Sequence, residues 1–210
     1  MNIGELRQDY KKETLDEKDV NQNPIEQFKL WFNEAIISEL LEPNAFCLST
    51  IHNNSPESRI VLLKEINDNG FVFFTNYNSA KGKQISINNN VSLNFLWLEL
   101  ERQVRIEGVA EKISALESDI YFYSRPIGSQ IGAIVSEQSE IIESRSILEE
   151  ALNIAEQKYK IEKPIRPEHW GGYIVKPRLI EFWQGRSSRL HDRISFELVD
   201  GSWMISRLSP

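Results

Sequence analysis

From residue 45 onward the apolar residues fall in short runs separated by turn signals, and this spacing constrains the fold more than any other feature of the chain. Runs at 45–51, 58–66 and 71–76 are divided by Asn53-Asn54-Ser55-Pro56, a turn, and by Asp68-Asn69-Gly70, a strong hairpin signal. Further runs lie at 91–98 and 103–113; in the second, Val104 and Ile106 alternate with Arg105 and Glu107, as on a strand with one buried face. The pattern returns at 172–175, 179–184, 194–199 and 203–208, the last two joined by Asp200-Gly201. The pattern amounts to seven or eight short strands with helices inserted in blocks. Strand and helix do not alternate regularly. The expected fold is therefore mainly β, an antiparallel barrel with flanking helices, and not a doubly wound parallel sheet.

The helical blocks carry their own signals. Asn23 is placed to cap a helix, Pro24 suits its first position, and Ile25, Phe28, Trp31, Phe32, Ala35, Ile36 and Leu40 recur at helical spacing up to Pro43. Shorter helices are predicted at 79–88, 115–124 and 129–135, and a longer one at 140–160 whose acids read as a solvated face. Residues 1–22 are polar and read as an N-terminal arm; 23–210 reads as a single domain.

Composition narrows the class. A chain of 210 residues with 40% hydrophobic residues can bury a core without a disulfide or metal. The single cysteine, Cys47, excludes an intrachain disulfide and, lying in Ala45-Phe46-Cys47-Leu48, is expected to be a buried, inert thiol. No metal-ligand pattern occurs. A net charge of −7 argues against a nucleic-acid partner. No apolar run is long enough to span a membrane, and no basic start precedes an apolar stretch, so a cytoplasmic protein with no membrane partner is expected. The fingerprints GxGxxG, Walker A, HExxH and GxSxG are missing, so any cofactor must be held in another way.

Three clusters carry candidate chemistry. Arg59 and Lys64 bracket Ile60-Val61-Leu62-Leu63 and face opposite ways unless the strand breaks; they are either edge charges or two cations aimed at an anion. In Tyr121-Phe122-Tyr123-Ser124-Arg125-Pro126-Ile127-Gly128-Ser129, one helix stops at Arg125-Pro126 and another opens near Ser129. Ser129 is then either a cap or, with Tyr121 and Arg125, a phosphate donor. In 182–193, Arg186, Arg189 and Arg193 surround His191; this is either a basic loop paired with the acidic helix or a ligand site. Weaker signals are Phe74-Thr75-Asn76 with Lys81 behind it, Arg102-Gln103-Val104, and Gln138-Ser139. Many donors without a metal pattern suggest a phosphorylated aromatic ligand and an organic cofactor.

RIVLLK (59–64), FTNYNSAKGKQI (74–85), ERQVRIEG (101–108), YFYSRPIGSQIGAIVSEQS (121–139), HWGGYIV (169–175), EFWQGRSSRLHDR (181–193) and the terminal RLSP resemble the pyridoxine/pyridoxamine 5′-phosphate oxidase family, in order and at near-constant spacing. The resemblance implies an antiparallel split β-barrel that binds FMN at the interface of a homodimer. It implies oxidation of pyridoxamine 5′-phosphate or pyridoxine 5′-phosphate to pyridoxal 5′-phosphate, with O2 as acceptor and H2O2 released. Carried over by position, FMN would meet Arg59, Ile60, Val61, Leu62, Leu63 and Lys64. It would also meet Phe74, Thr75 and Lys81, then Gln103, Gln138 and Ser139, and finally Trp183 and Arg193. The substrate phosphate would meet Lys64, Tyr121, Arg125 and Ser129. Arg189, Leu190 and His191 would lie at the substrate ring, with Arg189 and His191 as the catalytic pair. Arg7 and Tyr10 would belong to an arm folding over the substrate. One departure stands out. Ala80 occupies a position where family members usually carry an arginine, which implies weaker FMN binding unless Lys83 substitutes. A flavin reductase or FMN carrier would not need SRPxxSQ or RLHDR, and a plain interaction domain would leave the arginine clusters unexplained.

Overall fold

The computed structural model describes residues 2–6 and 8–210. The first helix, α1 (Pro24–Ile37), starts where expected: Asn23 Oδ1 accepts from the Ile25 N–H at 2.9 Å. It stops short of Pro43 because Ser38 closes its last turn and Glu39 turns left-handed, φ 55°. Strands β1 (Ala45–His52) and β2 (Ser55–Leu62) form a hairpin through Asn53 and Asn54, both left-handed (φ 50° and 63°), the geometry a two-residue connection requires. Ser55 and Pro56, expected in the turn, already belong to β2, whose outer edge lies free of the sheet and needs no ladder N–H from proline.

The run 58–66 is not one strand. It breaks after Leu62, and β3 (Glu65–Asn67) begins a separate hairpin with β4 (Gly70–Asn76). At the break the Leu63 N–H donates to Asn44 O at 2.8 Å and the Lys64 N–H to Val72 O at 2.9 Å, which redirects the chain. Then follow α2 (Ala80–Ile87), β5 (Asn90–Trp97), β6 (Arg102–Lys112), α3 (Ala115–Ser124), α4 (Ile127–Val135) and α5 (Arg145–Lys158). The chain closes with β7 (Trp170–Gln184), β8 (Asp192–Val199) and β9 (Ser202–Arg207). All pairings among these strands are antiparallel.

Strand β7 splits the barrel. One edge pairs with β6 along its length; the other pairs with β4 through Trp170–Val175 and with β8 through Leu179–Gln184. The sequence pattern suggests two strands here, at 172–175 and 179–184. The strand runs on because the register slips between Glu107 and Gly108, placing Pro177 at a bulge. Gly108 permits this close approach: a Cβ there would lie 2.2 Å from Lys176 O.

Alternation builds the core. In β6 the even residues Val104 and Ile106 are buried, and in β1 Phe46 and Leu48 point inward. Phe28 of α1 reaches across to Phe71 and Phe95, each at 4.9 Å between ring centroids. Burial of each such ring stabilises the fold by roughly 1.5–3 kcal/mol. Leu15 and Val20 of the polar N-terminal segment also join this core, so that segment is held against the barrel. The same alternation corrects the reading of Cys47: it lies on the outer face of β1, half-buried.

Candidate functional site

A cavity of about 670 Å³ opens where β2, β4, α2, α3 and α4 converge. Its walls carry Ile60, Val61 and Leu62 from β2, Lys64 from the break after it, and Phe74 and Thr75 from β4. Lys81, Tyr121, Arg125, Ser129 and Gln138 complete the set of expected residues that it gathers. The lining holds three cations and no acid, in a chain of net charge −7. The local field therefore favours an anion against the charge of the whole protein.

Among the described residues, none of these cations has an anionic partner. Lys81 Nζ donates only to neutral oxygens: Gln138 Oε1 at 3.1 Å, Thr75 Oγ1 at 3.3 Å and Ser79 Oγ at 3.4 Å. Burial, and then the nearby charge of Arg59, push its pKa down to about 8. Arg125 leaves Nη1 buried without a hydrogen-bond partner, while its guanidinium lies 4.7 Å from the Trp170 ring centre. Burial lowers its pKa. The Lys64 side chain makes no ion pair among the described residues and is exposed.

Ser129 is not the cap of α4. The helix begins at Ile127, and no side chain caps it; the Ser129 N–H donates to Pro126 O at 2.9 Å, and Ser129 itself lines the cavity. Phe74 stacks on Tyr121 at 3.8 Å and on Trp170 at 5.5 Å, forming an aromatic wall. Trp170 is not singled out by the sequence, although it lies in the HWGGYIV stretch; Ser136 is also missed, and Asn76 enters only as part of the weak signal Phe74-Thr75-Asn76. Such neutral or apolar lining carries no charge signal and is recognisable only by position.

Several expected residues lie elsewhere. Leu63 is a core residue, 4% exposed, because the break at Lys64 leaves it facing inward. Arg59 does not line the cavity; it binds Thr50 Oγ1, Gln84 Oε1 and Glu57, and its charge is felt at Lys81. Ser139, left-handed at φ 75°, lines a separate cavity with Ala80 and Lys83. Lys83 is paired with Glu140 at 2.7 Å and lines this separate cavity, not the one that holds Lys81. Arg7 lies outside the described residues.

The remaining residues form a second cluster on the outer face of β6, β7 and β8. The register aligns Gln103, Trp183 and Arg193 in one row across these strands. The His191 ring lies 4.6 Å from that of Trp183, and Tyr10 of the N-terminal segment contacts both rings at 5.9 Å. Gly185 makes room for Tyr10: a Cβ there would sit 2.7 Å from the Tyr10 ring. Glu101 accepts from the Lys11 and Lys12 N–H groups, and Asp192 accepts from the Leu15 N–H, fastening the segment on both sides of Tyr10.

Arg189 and Leu190 are exposed in the connecting loop, where Ser188 and Arg189 are both left-handed (φ 57° and 62°). Non-glycine residues in that region store strain, which is concentrated at ligand sites. The basic loop does not pair with the acidic helix: Arg186 binds Asp192 at 2.7 Å and Arg193 binds Glu181 at 2.8 Å. None of Gln103, Trp183, Arg189, His191 or Arg193 lines the first cavity. Within one chain the expected site is thus present as two separate halves.

Comparisons with known proteins bear on both halves. Residues 32–158 match the family model described as pyridoxamine 5′-phosphate oxidase, and residues 170–210 match the pyridoxine 5′-phosphate oxidase C-terminal dimerisation region. The pyridoxine/pyridoxamine 5′-phosphate oxidase of Cyanothece sp. is 51% identical, covering 100% of this chain and 99% of the relative. The protein of the same name from Trichormus variabilis is 54% identical, covering 99% and 98%. Among solved structures, PhzG from Burkholderia lata, in complex with tetrahydrophenazine-1-carboxylic acid, superposes with a TM-score of 0.88 at 27% identity, covering 94% of this chain and 98% of that one. An FMN-binding, pyridoxamine 5′-phosphate oxidase-related protein from Nostoc punctiforme shares the fold, with a TM-score of 0.69 at 14% identity over 87% and 97%. With its split barrel, its cationic cavity and matches running the length of the chain, this protein belongs to the pyridoxamine 5′-phosphate oxidase family.

Proposed function

We propose that the protein oxidises pyridoxamine 5′-phosphate and pyridoxine 5′-phosphate to pyridoxal 5′-phosphate, using FMN and O2. The amine substrate consumes O2 and water and yields ammonia and H2O2; the alcohol consumes O2 and yields H2O2. The observation that carries this reading is the acid-free cavity with three cations, one of them Arg125 with a buried, unpartnered nitrogen. That donor set fits phosphate, and the aromatic wall of Phe74, Tyr121 and Trp170 fits a flat ring. The volume suits ligands of cofactor size.

FMN would be held by the backbone and side chains of 60–62, by Thr75, Lys81 and Gln138, and would supply the electron-accepting chemistry that no side chain here offers. The protein's part is position and charge. Lys64, Tyr121, Arg125 and Ser129 bind the substrate phosphate, and this remote binding energy orients the ring and its reacting carbon. Arg189 and His191 belong to the outer-face cluster, so they reach the substrate only from a second copy. The match of 170–210 to a dimerisation region supports a homodimer in which each cavity is completed by the partner's Gln103, Trp183, Arg189, His191 and Arg193. No helix is long and apolar enough to cross a membrane.

The test is reconstitution with FMN, addition of pyridoxamine 5′-phosphate in air, and measurement of pyridoxal 5′-phosphate by absorbance. Product formation with equimolar H2O2 is expected. Bound FMN with no product would overturn the reading in favour of a flavin carrier.

A further inference from the structure

Glu181 is the one carboxylate buried among the described residues, 4% exposed, and it lies on the outer face of β7, away from the hydrophobic core. Burying a carboxylate is costly unless it is paired and hydrogen-bonded. Here its two oxygens serve different arginines: Oε1 accepts from Arg193 Nε at 2.8 Å and Oε2 from Arg105 Nη1 at 3.0 Å. Arg105 is the direct cross-strand partner of Glu181 and has a second acid, Glu107, at 3.6 Å. Arg193 has no other acid partner among the described residues. Its Nη1 donates to Ser209 O at 2.8 Å near the C-terminus. The guanidinium is therefore held at two nitrogens, and Nη2 is the one left for a ligand.

The register places Arg193 in one row with Trp183 and Gln103. We infer that Glu181 is a positioning residue for the flavin site: it holds Arg193 in the orientation that a bound flavin meets, and so sets flavin affinity without touching the flavin itself. The inference rests on the reading above that Arg193 contacts FMN. A side chain as long as arginine, freed of Glu181, would have to give up rotamer freedom at the moment of binding, which weakens affinity.

The experiment is a fluorescence titration of the full-length apoprotein with FMN, for wild type, Glu181→Gln, Arg193→Ala and the double variant, each checked for fold and oligomeric state by circular dichroism and gel filtration. Glu181→Gln is expected to raise the Kd about tenfold, with no further loss when added to Arg193→Ala. If Glu181→Gln stays within about twofold of wild type while Arg193→Ala weakens binding, the inference is overturned. It also fails if Glu181→Gln weakens binding equally with and without Arg193, since that is general loosening. An unchanged Kd for Arg193→Ala instead overturns the underlying reading of the flavin site. Should Glu181→Gln fail to fold, Glu181→Asp keeps the charge but withdraws the carboxylate from Arg193. The same comparison with Arg193→Ala then decides, with a smaller loss expected.

Discussion

The backbone N–H of Arg186 donates to Nδ1 of His191 across 3.1 Å, so the imidazole accepts at Nδ1 and, when neutral, carries its proton on Nε2. Burial and then the charge of Arg189 lower its pKa from 6.5. His191 therefore offers a hydrogen-bond donor at neutral pH, not a cation. Protonation would place a proton on Nδ1 and break the bond from Arg186.

The pH dependence follows from that sign. The stability contributed by neutral His191 is present above pH 6.5 and is lost as pH falls through its lower folded value. In an NMR titration His191 should show the Nε2–H tautomer and a midpoint below 6.5. The acid limb of kcat/KM should lie in the same window. A midpoint above the model-peptide value would refute the assignment.

Lys81 gives a second window at the opposite end. Its pKa falls from 10.5 to about 8 in the ligand-free fold. The stability of the neutral amine is present above 10.5 and lost as pH falls through about 8, so near neutrality the charged amine is strained for want of an anion. Binding of the FMN phosphate should raise this pKa. The Kd for FMN is expected to be flat well below pH 8 and to weaken above it, approaching tenfold per pH unit. Lys81→Met should weaken binding and flatten the profile. A pH-independent Kd for wild type would remove Lys81 from the phosphate site.

Arg125 presents a buried nitrogen with no partner and is held against Trp170 by its guanidinium face. Arg125→Ala removes a charge-assisted bond of about 1.5–3 kcal/mol. The KM for pyridoxine 5′-phosphate should rise by roughly 10–150-fold. Any turnover of dephosphorylated pyridoxine should fall far less. Equal losses on both would mean that Arg125 does not read the phosphate.

Asp192 ties three parts of the protein together. Its carboxylate accepts from Arg186 at 2.7 Å, from Arg207 at 2.9 Å and from the Leu15 N–H at 3.1 Å. Arg207 in turn holds Glu17, so Asp192→Asn should loosen the N-terminal segment that carries Tyr10. Hydrogen exchange at residues 10–17 is expected to accelerate by at least about tenfold while β4 to β6 keep their protection. Unchanged exchange would show that the Glu101 contacts and the bonds of Arg207 to Glu17 and Leu15 O fasten the segment without Asp192.

The elements legible in the sequence are those fixed by local chemistry. Asn23-Pro24 announces α1, Asp68-Asn69-Gly70 announces the β3–β4 hairpin, and the alternation from Val104 to Glu107 announces β6, because caps, turns and the period of two are properties of neighbouring residues. Runs such as SRPIGSQ and RLHDR point to the family for the same reason: each is a short contiguous string readable without the fold.

Tertiary structure decided the rest. Whether 58–66 was one strand depended on Asn44 and Val72, which take the N–H groups of Leu63 and Lys64 from elsewhere in the chain; that choice sent Lys64 to the cavity, Leu63 to the core and Arg59 to Thr50 and Gln84. Pro177 passed through β7 only because Gly108 on β6 allowed a bulge. The meeting of Tyr10 with Trp183 joins the N-terminal segment to β7 across the length of the chain, and the burial of Glu181 between Arg105 and Arg193 depends on the pairing of β7 with β6 and β8. Period and propensity determine what a segment becomes, whereas strand register and packing determine which side chains share a face; only the folded sheet contains that information.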